Sequence, residues 1–133
     1  MVVVDTNILA PLLIEGDLTK DAQALYARDP DWRSEGFVLI EFSNLLATQI
    51  RSGRLAAGAA PPLLADAERV LTGLVQVPHA RALQLAAAHG VSAYDARFLA
   101  AAQTLAGKLV TDDARLRAAA PALTRSLAHA LLA

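Results

Sequence analysis

At 133 residues, with a formal net charge of −1 and no cysteine, the chain is sized for a single domain spanning residues 1–133, and several function classes are excluded at once. Disulfides and thiolate metal sites are ruled out, a reducing compartment fits, and any nucleic-acid contact needs a local patch because no global basic field exists. No stretch approaches the ~18 uninterrupted apolar residues of a membrane span. The opening apolar run breaks at Asp5 and lacks a basic start, so no secretory leader is expected and the protein is expected to be soluble and cytoplasmic.

The first twelve residues organise the rest. Val2-Val3-Val4 predicts a strand buried on both faces, as in a parallel sheet. It stops at Asp5-Thr6-Asn7, side chains that cap helices, and a helix carrying Ile8, Leu9, Leu12 and Leu13 follows. Asp5 then sits at the C-terminal edge of a parallel strand, where open α/β sheets collect ligands; capping alone accounts for it as well. A second helix is expected over 18–28, stopped by Asp29-Pro30-Asp31, with Trp32 beyond it as a packing anchor. A short strand is expected within 34–38, around Phe37-Val38, and a helix over 39–51. On that helix Glu41, Asn44 and Thr48 share one face, either as a solvated stripe or with Glu41 pointing into a polar cleft.

The loosest stretch runs from Ser52 to Pro62, where a helix to about Thr72 begins and Gly73 ends it. Leu74 to Val77 predicts a third strand, and Pro78 opens a helix that closes at Gly90. Ser92 with Asp95 three residues on resembles a capping box at the start of the next helix, which runs to Gly107. Lys108 to Thr111 predicts a fourth strand, Asp112-Asp113 begins a short helix, and 123–126 predicts a last edge strand before a helical tail. His79, His89 and His129 are too scattered to form a ligand set.

Alternating strands and helices predict an α/β fold with a mostly parallel sheet of four to five strands. Asp5 and the Thr111-Asp112-Asp113 turn follow strands, and Glu41 and Asp95 lie in first helical turns, so three or four acids are expected to converge above one sheet edge. Two unit charges 4 Å apart repel by ~4 kcal/mol at an effective dielectric of 20, so such a cluster needs protons or a cation. Oxygen ligands without cysteine or histidine select a hard ion, Mg²⁺ or Mn²⁺.

The ordered set VVVDTN at 1–6 and onward, IEFSNLL at 40–46, SAYDARFLAAA at 92–102 and KLVTDDARL at 108–116 resembles the PIN-domain ribonucleases, and most of all the VapC toxins of toxin–antitoxin pairs. The resemblance spans nearly the whole chain. It implies a PIN-like three-layer sandwich and a metal-dependent endoribonuclease in which Asp5, Glu41, Asp95 and Asp113 hold Mg²⁺ or Mn²⁺. Asn7 and Thr111 would orient a carboxylate or the attacking water, and Asp112 is the variable neighbour in the last motif. In-line attack on RNA would leave a 5′-phosphate and a 3′-hydroxyl. The resemblance also implies a homodimer and a cognate antitoxin protein whose C-terminal segment covers the cleft.

An acidic cleft must still attract RNA, and Arg97, two residues from Asp95, is the first candidate for a phosphate contact, ahead of Arg33, Arg51, Arg54, Arg115 and Arg117. Such contacts would make cleavage salt-sensitive. Two rival readings exist. An aspartyl-phosphate phosphatase wants a second acid two residues after its nucleophile, and that place holds Asn7. A catalytically inactive binding module of the same fold would be favoured by missing acids, and all four are present.

Overall fold

A computed structural model describes residues 1–133. Its strands are β1 (Val2–Val4), β2 (Trp32–Glu35), β3 (Leu71–Val75), β4 (Leu109–Val110) and β5 (Thr124–Arg125). The helices are α1 (Thr6–Leu13), α2 (Thr19–Arg28), α3 (Phe37–Arg51), α4 (Ala60–Val70), α5 (His79–His89), α6 (Ala93–Thr104), α7 (Ala114–Ala119) and α8 (Leu127–Leu132), with a 3-10 turn at Ala57–Ala59. All strand pairings are parallel, in the order β3-β2-β1-β4-β5. The expected α/β sandwich is therefore what forms, with a wholly parallel sheet.

That order fixes where a ligand can sit. From the central β1 the chain moves to β2 and β3 on one side, then crosses to β4 and β5 on the other. The reversal leaves a crevice outside the carboxyl ends of β1 and β4, and Asp5 and Thr111 are the residues that follow those two strands. The strands are dry: Val3, Val4, Leu109 and Val110 are essentially inaccessible, as the valine run predicts. Helix α6 packs across β1, β2 and β4 with α5 against it, while α1 packs against α2, α3 and α4. Trp32 is fully buried and meets Tyr26 edge to face, so it is the packing anchor expected of it.

Two strands lie elsewhere than their apolar residues predict. The second is Trp32–Glu35, and Phe37-Val38 instead begins α3. Pairing with β1 on one side and β3 on the other overrides the local pattern, and the polar residues find distant partners: the Ser34 hydroxyl donates to the Val4 carbonyl at 2.6 Å. The third strand begins at Leu71, so Gly73 lies inside it and does not end a helix. A Cβ at Gly73 would make ordinary van der Waals contact, at 3.4 Å, with the Arg33 stem on the neighbouring strand, so space alone does not require glycine there. The end of α6 differs too: Ala106, not Gly107, takes the left-handed conformation (φ 55°), and the Gly107 amide closes back on the Ala102 carbonyl at 2.9 Å.

Candidate active site

Asp5 stands at the N-terminal boundary of α1, yet its side chain makes no capping hydrogen bond. Its carboxylate is buried, and Oδ1 has no hydrogen-bond partner. An uncompensated buried acceptor is costly, so capping does not explain this residue. Burial pushes the Asp5 carboxyl up to about 7, the charges of Glu41 and Asp95 add to the rise, and the Thr111 hydroxyl and Asn7 amide partly oppose it.

A cleft of about 640 Å³ opens over this carboxylate. Asp5, Thr6 and Asn7 line it from the β1–α1 turn, Glu41 and Asn44 from α3, and Asp95 from α6, with Phe37, Ile40, Leu45, Tyr94 and Phe98 as apolar wall. The α3 stripe therefore divides: Glu41 and Asn44 face the cleft, while Thr48 accepts a hydrogen bond from exposed Arg51. Glu41 is held by Thr6, whose buried hydroxyl donates to Oε1 at 2.7 Å.

Asp95 is half-buried at the start of α6, and its backbone amide donates to the capping Ser92 hydroxyl at 3.0 Å. Desolvation raises its carboxyl pKa first, the charge of Asp113 second, and the Ser92 hydroxyl lowers it. Asp113 thus stands close enough to be felt at Asp95, although it does not line the cleft. Its Oδ1 caps α7, accepting from the Arg115 and Leu116 amides at 2.9 and 3.1 Å. Thr111 is buried beneath it and accepts from the Asp113 amide at 3.1 Å. Asp112 lies apart, lining a separate depression with Asp17 and Gln49.

The four acids thus meet as a chain of repulsions, Glu41 with Asp5, Asp5 with Asp95, and Asp95 with Asp113. No three of them are drawn into a ready-made coordination shell. The donor set still suits a hard cation: every group is an oxygen, and the innermost is an orphaned buried carboxylate oxygen.

Arg97 is engaged elsewhere. Its Nη1 donates to Glu35 Oε2 at 2.9 Å and to the Val77 carbonyl at 3.2 Å, and its Nη2 meets His79 Nδ1. Glu35, buried at the end of β2, also accepts from the Phe37 and Val77 amides at 2.7 and 3.1 Å. One carboxylate thus ties the starts of α3 and α5 to α6. Glu35 falls inside the strand expected within 34–38 but carries no sequence signal of its role, and Thr6 reads from sequence only as a cap, although its place beside a strand-ending acid is a usable signal.

The sequence pattern of the PIN domain matches residues 2–121. The chain is 29% identical over 125 residues to a protein named Ribonuclease VapC3 from Pyrobaculum aerophilum, a match covering 91% of this chain and 95% of that one. The crystal structure of PAE2754 from Pyrobaculum aerophilum shares the fold, with a TM-score of 0.79 at 22% identity over 98% of this chain and 91% of that one.

Proposed function

Because the chain belongs to the PIN-domain family, we propose that it is a metal-dependent endoribonuclease hydrolysing RNA phosphodiester bonds, the toxin of a VapC-type toxin–antitoxin pair. The observation that carries this reading is the buried, unpartnered Asp5 Oδ1 at the sheet's switch point, facing a cleft that Glu41 and Asp95 share. Asp5, Glu41 and Asp95, with Asp113 at the rim, would hold the cation. A bound Mg²⁺ or Mn²⁺ activates water and steadies the charge that builds on a phosphoryl oxygen.

The chain's own side chains do the remaining work. Thr6 fixes the rotamer of Glu41 through its 2.7 Å hydrogen bond. Thr111, whose hydroxyl works against the rise in the Asp5 carboxyl, and Asn7, exposed at the mouth, would orient a carboxylate or the attacking water. Arg97 enters in a changed role, holding the helix that carries Asp95 to Glu35, while exposed Arg115 beside Asp113 is the better-placed phosphate contact. The same proposal includes a cognate antitoxin, a homodimer and a cytoplasmic location. No helix is long and apolar enough to cross a membrane.

The test compares antitoxin-free wild type with Asp5→Asn on cellular RNA, mapping new 5′ ends with Mg²⁺ or Mn²⁺ and again with chelator. The proposal expects discrete 5′-phosphate ends from wild type only, lost on chelation. Equal cleavage by Asp5→Asn, or cleavage indifferent to chelator, overturns it.

A further inference from the structure

We propose that Tyr94, backed by Phe37, is a stacking platform that seats one unpaired nucleobase of the RNA beside the acidic cleft; this rests on the ribonuclease reading above. Tyr94 is 63% exposed although it is aromatic and lies in the first turn of a well-packed helix. Its ring lies nearly parallel to that of Phe37, with centroids 5.3 Å apart and planes at 12°. Phe37 in turn rests on buried Phe98, centroids 6.4 Å apart. One face of the Tyr94 ring is therefore partly covered and braced in an offset stack, while most of the residue stays open to solvent. A braced ring with one free face is what a base needs in order to stack.

Position makes the occupant specific. Tyr94 immediately precedes Asp95, and together with Phe37 and Ile40 it forms the wall shared by the acidic cleft and a second cavity of about 610 Å³. Gln76 and His79 line that second cavity and offer hydrogen-bonding groups to the edges of a base. The only guanidinium lining either cavity belongs to Arg97, which is spent on Glu35. Phosphate attraction is therefore weak along this wall, and stacking is the contact left to hold a strand with its backbone over the acids. Stacking reads no hydrogen-bond pattern, so the platform selects single-stranded over paired RNA more than it selects a sequence.

The experiment measures binding of single-stranded RNA oligonucleotides carrying one fluorescent adenine analogue, moved through the sequence, to Asp5→Asn protein with and without a second change at Tyr94. With Tyr94 intact, fluorescence is quenched at one position. Tyr94→Ala removes the quench and weakens binding about tenfold, whereas Tyr94→Phe keeps both. An abasic nucleotide at the quenched position weakens binding as much, and costs nothing further when combined with Tyr94→Ala. Unchanged affinity and quench in a Tyr94→Ala protein that melts like its parent overturn the inference. Loss of self-association by light scattering with RNA affinity retained also overturns it, and makes the ring a protein–protein contact. Separately, the ribonuclease reading fails if wild type cleaves no RNA; the platform alone fails if wild type cleaves and Tyr94→Ala binds and cleaves equally well.

Discussion

Arg97 Nη1 lies 2.9 Å from Glu35 Oε2, joining the start of α6 to the end of β2 across 62 residues of chain. The pair is largely buried, with side-chain exposures of 16% and 3%. Breaking it by Arg97→Ala leaves Glu35 charged, buried and short of one partner, at a cost of about 3 kcal/mol. Replacing both, Glu35→Gln with Arg97→Met, is expected to recover more than half of that loss. Denaturant melts of the two single variants and the double variant measure it, and additive losses would show that the pair is not coupled.

The raised carboxyl of Asp5 sets a pH dependence of stability. Its pKa goes from 3.8 to about 7 on folding, so between those values the folded state binds more protons than the unfolded state. Metal-free protein should therefore lose stability as pH rises from about 4 to about 7, by at most roughly 4 kcal/mol. Asp95, raised by desolvation and by Asp113, acts in the same direction. Asp29, lowered chiefly by its hydrogen bond to the N-terminal ammonium, and Asp31, lowered chiefly by Arg33, act oppositely, and only as pH falls through and below 3.8. Melting curves of Asp5→Asn without metal should be flatter over that window and no lower than wild type at neutral pH; a large fall would mean a structural role.

Asp113 separates capping from chemistry. Asparagine caps a helix as well as aspartate does, so Asp113→Asn should keep the melting temperature and lose cleavage. Asp113→Ala should lose cleavage and about 1 kcal/mol of stability as well. Full activity in either variant would leave Asp113 as a cap alone.

Thr6 acts through Glu41. Thr6→Val keeps the shape but removes the donor, and cleavage should fall roughly tenfold to a hundredfold with little change in fold. Thr6→Ser should restore most of it. The loss should shrink in a Glu41→Gln background, since the hydroxyl then no longer holds a charged carboxylate.

The contrast between Asp5 and Asp113 shows how far the sequence is legible. Both are acids preceding a helix, and both are explained locally as caps; Asp113 caps and Asp5 does not. What separates them is burial, which belongs to the packing of β1 and α6 and has no local signature. The sheet's centre was readable because Val2-Val3-Val4 and Leu109-Val110 carry their burial in their own side chains. Strand β2 was not, because Ser34 and Glu35 become tolerable inside largely through partners 30 to 62 residues away. The convergence of Asp5, Glu41 and Asp95 on one cleft follows from parallel topology, whereas the role of Arg97 depends on a counter-ion 62 residues away, Glu35, which nothing near Arg97 in the sequence announces.

The most direct test is the melting temperature of metal-free protein titrated with Mn²⁺ at about pH 8, above the raised Asp5 pKa. An ion that binds the folded state at a hundred times its dissociation constant adds ~2.7 kcal/mol, or roughly 10 °C for a chain of this size. The wild type should show that rise and Asp5→Asn should show little of it. Equal rises in both proteins, or none in either, would contradict the assignment of the Asp5 carboxylate as the innermost ligand of a shared cation.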